Sequence, residues 1–168
     1  RISRAVERHS HAITLKFGYA EAHYNLGITL QELGRSEEAE ASYRQAIAST
    51  PDFAPAHCNV GIALQEQGRS EEAEASYRQA IKLKSDFAEA HSNLGNTLKE
   101  LGRLDEAETS HRHAITLKFD YAEAHYNLGI TLQELGRSEE AEASYRQAIA
   151  LKPDFALAHS NLGIALQE

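Results

Sequence analysis

Polar and apolar residues along this chain follow a helical period. In Ala20 to Leu33, the residues His23, Leu26, Gly27 and Leu30 fall at i, i+3, i+4 and i+7, which places them on one face of a predicted first helix. Gly34 stops that helix, because glycine enters the left-handed backbone that closes a helix without the penalty other residues meet there. Ser36-Glu37-Glu38 then opens a second helix, with a hydroxyl to cap it and two carboxylates in its electropositive first turn. Ala39, Tyr43, Ala46 and Ile47 share a face of this second helix, which ends at Pro51. In later segments Lys84, Lys118 and Lys152 stand near the matching C-terminal end, where a cation is favoured.

The same pair of helices recurs every 34 residues: Ala20 to Phe53 returns as Ala122 to Phe155, differing only at Ser49 and Thr50 against Leu151 and Lys152. Two more copies, 54–87 and 88–121, lie between them. Partial copies occupy 1–19, with a second helix only, and 156–168, with a first helix only. Each unit buries its apolar face only against its neighbours, so the period predicts one continuous array with no linker. Gly27, Gly61, Gly95, Gly129 and Gly163 recur inside the first helix, where glycine costs about 1 kcal/mol relative to alanine. Close approach of a second helix explains that cost, with Ala39, Ala73, Ala107 and Ala141 as the expected partners.

Leu26-Gly27, Leu30, Ala39, Tyr43, Ala46 and Pro51 together give a unit that resembles a tetratricopeptide repeat, and the match spans the whole chain. The resemblance implies an all-α fold, a right-handed superhelical solenoid of antiparallel helix pairs. The chain departs from the family pattern at His23, His57, His91, His125 and His159, where a large aromatic is usual and where a looser contact between the two helices is expected. Ser85 and Phe119 stand where the closing proline belongs.

Composition narrows the partners. With 17 basic and 25 acidic residues the net charge is -8, which repels phosphate backbones and anionic lipid heads, so neither nucleic acid nor membrane is an expected partner. Apolar runs are too short for a transmembrane helix, and the N-terminus lacks the apolar core of a signal peptide. A single cysteine, Cys58, cannot form an intramolecular disulfide, and a reducing, cytoplasmic setting is the default. The chain opens on Arg1 in mid-repeat, which suggests a piece of a longer protein.

Candidate chemistry is sparse. Five of the nine histidines hold one repeat position, about a helix-packing distance apart, which is too far for one metal ion. His9 and His111 take the place of Tyr43 and belong to the core, while His11 and His113 are expected on the surface. Cys58 beside His57 lacks the geometry of a nucleophile and base, and Glu37-Glu38, Glu71-Glu72 and Glu139-Glu140 are accounted for by helix starts. No catalytic residue, metal site or cofactor is predicted.

Binding is the remaining function. The first helix has a second face, made in one unit by Glu21, Tyr24, Asn25, Ile28, Gln31 and Glu32, and the family resemblance places it in the concave groove. One position on it is constant: Asn25, Asn59, Asn93, Asn127 and Asn161. A carboxamide offers both a donor and an acceptor, so each bonds the N–H and C=O of one residue in an extended peptide. Recent duplication is the alternative account of the recurrence. Tyr24, Tyr126, Ile28, Ile62, Asn96, Ile130, Gln31, Gln65, Lys99 and Gln133 complete the candidate peptide-binding face. It resembles the asparagine ladder of O-linked N-acetylglucosamine transferases more than a carboxylate clamp, since Lys99 is the sole groove cation. Glu32, Glu66, Glu100, Glu134 and Glu168 favour a neutral or basic ligand.

The expected function is a non-enzymatic scaffold that binds an extended protein segment. The alternatives are a substrate-recruiting arm of a larger enzyme such as a glycosyltransferase, or a self-assembling structural scaffold. At the ends, Ala5, His9, Ala12 and Ile13 on one side and Leu162, Gly163 and Leu166 on the other lack half a unit each, so weak head-to-tail association is expected at high concentration.

Overall fold

A computed structural model describes residue 4, residues 6–8 and residues 20–167. Among the described residues it contains nine helices from Ala20 onward, with no strand. They are α1 (Ala20–Glu32), α2 (Ser36–Ser49), α3 (Ala54–Glu66), α4 (Ser70–Leu83), α5 (Ala88–Glu100), α6 (Leu104–Leu117), α7 (Ala122–Glu134), α8 (Ser138–Leu151) and α9 (Ala156–Ala165). The chain divides into two compact units, Arg1–Ser85 and Asp86–Glu168.

In the first unit α1 packs on α2, α2 on α3 and α3 on α4. In the second, α5 to α9 pack in the same serial order, and the odd-numbered helices also touch side by side, α5 with α7 and α7 with α9. Each hairpin turns on a glycine in the left-handed region, Gly34, Gly68, Gly102 and Gly136, with φ between 71° and 75°. These are the turns that the sequence places there.

The core follows the second-helix pattern. Ala39, Tyr43 and Ala46 are fully buried on α2, as are Ala141, Tyr145 and Ala148 on α8. The expected glycine–alanine contact is corrected by the structure: what occupies the space beside Gly27, Gly61, Gly95 and Gly129 is a tyrosine or histidine ring. A Cβ at Gly61 would lie 2.6 Å from Tyr77 Cε1, and one at Gly95 would lie 2.6 Å from His111 Cε1. Gly27 and Gly129 face Tyr43 and Tyr145 in the same way.

Capping also differs from expectation. Ser36 does not cap α2; its hydroxyl donates to Glu66 of the next repeat. The helix start is held instead by Arg35, which forks onto Glu38 with Nε and Nη2, and the same bidentate pair recurs as Arg69–Glu72, Arg103–Glu106 and Arg137–Glu140. Three of the first-helix histidines reach back to the turn before their helix. His57 Nε2 lies 2.9 Å from the Pro51 carbonyl, His125 Nε2 lies 3.1 Å from that of Phe119, and His159 Nε2 lies 2.9 Å from that of Pro153. Each ring ties its helix to the turn before it.

Candidate functional site

The candidate face is built on the first helix of each pair, so two units present it separately. The first unit contributes α1 and α3, and the second contributes α5, α7 and α9. Asn25 is exposed, and Asn59, Asn93, Asn127 and Asn161 are half-buried. Half-buried too are Tyr24, Tyr126, Ile28, Ile62, Ile130, Asn96, Gln31, Gln65, Lys99 and Gln133. Ile130 and Tyr126 also pack against the core cluster of Leu128, Leu132, Ala141, Tyr145 and Ala165, so this face is continuous with the core. Glu168 lies outside the described residues.

The glutamines have structural work. Gln31 Oε1 accepts the Tyr43 hydroxyl at 2.7 Å, Gln65 Oε1 accepts that of Tyr77 at 3.1 Å, and Gln133 Oε1 accepts that of Tyr145 at 2.9 Å. A buried tyrosine thus brings its polar end to the candidate face, where a carboxamide satisfies it. Burial pushes the Tyr43 phenol well above its usual range, so it stays a neutral donor. The Tyr24 ring sits 5.7 Å from that of Tyr43 and 4.9 Å from that of Phe53; Tyr126 repeats this with Tyr145 at 6.0 Å and Phe155 at 4.9 Å.

Two of the asparagines are engaged by these rings. Asn59 Nδ2 donates to the Tyr24 hydroxyl at 3.3 Å, and Asn161 Nδ2 to the Tyr126 hydroxyl at 3.3 Å. The backbone of the ladder positions is steadied from below, because buried Thr29, Thr97 and Thr131 donate to the carbonyls of Asn25, Asn93 and Asn127.

Repeat 88–121 breaks the pattern. Ser92 stands where two other repeats carry Tyr24 and Tyr126, Asn96 replaces the isoleucine, Lys99 the glutamine and His111 the inner tyrosine. His111 is fully buried, as expected of a core residue, and neither ring nitrogen has a hydrogen-bond partner. An imidazole carries no hydroxyl to reach the position of Lys99, whose ammonium pairs instead with Glu134 at 3.4 Å. His113 is exposed as expected, yet its ring lies 4.3 Å from that of His91, a pairing across two helices that spacing within one helix does not reveal. Among the described residues no group of three or more His, Cys, Asp or Glu is arranged to hold a metal ion.

On the second helices, Arg69 Nη1 meets Glu40 of the preceding repeat at 2.9 Å, and Arg137 Nη1 meets Glu108 at 2.7 Å. Sequence reasoning missed these links. Their signal was present in the recurrence of Arg and Glu at fixed repeat positions.

Among the described residues no helix is long and apolar enough to cross a membrane. Two family models match the chain: one for the tetratricopeptide repeat over residues 86–154, and one for the TPR repeat over residues 29–68 and 66–102. Among solved structures, that of MamA aligns with a TM-score of 0.82 and 21% identity over 92% of this chain and 91% of that one. YrrB, described as a TPR protein with an unusual peptide-binding site, aligns with a TM-score of 0.77 and 24% identity over 95% of this chain and 82% of that one. TTC0263, a thermophilic TPR protein in Thermus thermophilus, gives 0.80 and 24% identity over 100% of this chain and 92% of that one. Identities this low establish a shared fold. No curated protein sequence matches the chain. With family models that together run from residue 29 to residue 154, and helix pairs turning on glycine with a ring seated on Gly27, Gly61, Gly95 and Gly129, the chain belongs to the tetratricopeptide repeat family.

Proposed function

We propose that this chain is a non-enzymatic interaction module whose first-helix face binds an extended segment of another protein through its asparagines. The observation that carries this reading is the constant carboxamide: Asn59, Asn93, Asn127 and Asn161 are all half-buried, so each is held in place by its surroundings and still reaches solvent. A carboxamide matches the N–H and C=O of one peptide residue, and each such bond contributes about 0.5–1.5 kcal/mol net, so affinity accumulates along a segment without strong side-chain selection. The described peptide-binding site of YrrB shows that a protein of this fold takes a peptide. Glu32, Glu66, Glu100 and Glu134, together with the net charge of -8, favour a neutral or basic segment.

The test is the combined variant Asn59→Ala, Asn93→Ala, Asn127→Ala, compared with the parent against twelve-residue peptides selected from a random display library. Binding should weaken at least tenfold while the melting temperature stays within a few degrees of the parent's. A variant that loses helicity shows that the asparagines are structural, and one that binds as well as the parent shows that they do not carry binding.

A specific observation favours weak self-association as a second property. Gly163 on α9 has nothing within 4 Å of where a Cβ would stand, although its four counterparts each hold a ring. The segment expected to fill that seat in a second copy, with Ala5, His9, Ala12 and Ile13, lies outside the described residues.

A further inference from the structure

Spacing along the chain puts the histidines of repeat 88–121 in separate groups: His91 belongs to the series that recurs once per unit, and His113 stands two residues after His111. Folding brings one of each together. His91 on α5 and His113 on α6 have ring centroids 4.3 Å apart, with planes inclined by 45°. The equivalent positions in repeat 122–155 are His125 and Gln147, and both line a single cleft there. Gln45 and Gln79 hold the place of His113 in the other two full repeats. Of the four full repeats, 88–121 alone carries imidazoles at both positions.

Two imidazoles on separate helices form a chelating pair when their spacing fits a coordination shell. Metal–nitrogen bonds of about 2.0–2.1 Å put each ring centroid about 3.2 Å from the ion. Two rings at right angles about that ion then stand about 4.5 Å apart, whereas a tetrahedral angle spreads them to about 5.2 Å. The observed 4.3 Å fits the right-angled pair. Square-planar and tetragonal copper(II) and nickel(II) take nitrogen ligands in this way, and copper(II) binds most tightly among the first-row divalent ions.

The surroundings agree with such a site. His57, His125 and His159 turn Nε2 to the carbonyl six residues earlier, at 2.9, 3.1 and 2.9 Å. An imidazole held in that way keeps its proton on Nε2 and offers the lone pair of Nδ1, and a carbonyl behind the ring is what orients a metal-binding histidine. His91 belongs to this series. It is half-buried and His113 is exposed, so an ion and its water reach the pair. His91 also stands two residues before Asn93, about 200° round α5, so the pair looks away from the candidate peptide-binding face.

We infer that His91 and His113 form a binding site for one copper(II) or nickel(II) ion, held by two imidazole nitrogens at right angles with water in the remaining positions, which clamps α5 to α6. This site is independent of the peptide-binding reading.

The probe is copper(II) sulfate, titrated into the full chain in a non-coordinating buffer at neutral pH. Three variants are compared with the parent: His113→Gln, which installs the glutamine of the other repeats, His91→Gln, and the control His125→Gln, whose partner position is already Gln147. Either change within the pair should weaken the tightest copper site about tenfold or more, since even an outer-shell partner is worth that much to a metal site. His125→Gln should bind as the parent does. At one equivalent, the electron paramagnetic resonance spectrum of the parent should show coupling to two imidazole nitrogens, and the two pair variants should lose that signature. Copper should also raise the melting temperature of the parent more than that of His113→Gln, because it ties two elements of the folded chain. Without metal the two should melt together, which separates a lost site from a lost fold. Equal copper affinity in the parent and His113→Gln would overturn the site and leave the two rings as an aromatic contact. Equal weakening in His125→Gln would also overturn it, because copper would then be collecting on scattered histidines.

Discussion

His111 shows how one residue changes the chemistry of a repeat while keeping its packing. Its ring takes the same seat against Gly95 that tyrosine rings take elsewhere, but it is a titratable group with no exposure and no hydrogen-bond partner. Burial, reinforced by the nearby Lys99 charge, lowers its pKa to about 4 from 6.5. The folded chain thus holds this imidazole neutral while the unfolded chain protonates it. Stability is therefore full above pH 6.5, falls as the pH drops and is lost to the extent of about 3 kcal/mol once the pH passes below the folded value. Urea midpoints between pH 7 and pH 4 should show this slope in the parent. The double variant His111→Tyr, Lys99→Gln restores the tyrosine–glutamine pair of the other repeats and should remove most of it. If parent and variant lose stability in parallel, protonation of other groups accounts for the acid sensitivity.

At the scale of the element, the helix pair packs a ring closely against a glycine. At Gly129 a Cβ would stand 2.5 Å from Tyr145 Cε1, and Tyr145 is fully buried with its hydroxyl held by Gln133, so the ring has nowhere to move. Gly129→Ala should destabilise by about 1–3 kcal/mol through overpacking, minus the roughly 1 kcal/mol that alanine gains in a helix. Gly163→Ala carries the same gain and meets nothing, so it should stabilise. Opposite shifts of the denaturant midpoint are expected, and shifts of the same sign would show that the ring contact does not set the pair. The existence and limits of these helices were legible in the sequence because they depend on neighbours three or four positions away and on Gly34 and its equivalents. The partner of each glycine was not, since it depends on how two helices are rotated about one another: Ala39 and Tyr43 share a face, and only the packed pair shows which one arrives. For the same reason the candidate face was legible as a set of positions, Asn25 to Lys99. The bonds that differentiate those positions, such as Asn59 to Tyr24 across 35 residues, were not.

At the scale of the whole molecule, the exposed ion pairs are numerous but weak, each contributing about 0.2–1 kcal/mol and screened by salt. The aromatic seats carry more of the stability, and among the described residues none fills the one beside Gly163. On α9, Leu157, Ile164 and Leu166 are 60%, 51% and 57% exposed beside the open Gly163. A helix carrying an aromatic or imidazole ring between small residues, as Ala5-to-Ile13 does in sequence, would complete the pair when it comes from a second copy. Such a contact joins two different surfaces, so it propagates head to tail rather than closing a dimer. One helix face is a small interface, and the net charge of -8 opposes it, so dilute protein at low salt should be monomeric, with the sedimentation coefficient rising as concentration and salt increase. Leu157→Glu with Leu166→Glu should suppress that rise, and a polar helix fused after Glu168 to cover Gly163 should abolish it. Growth that is unchanged by the fused helix would place the contact on another surface and leave the α9 face without a role in assembly.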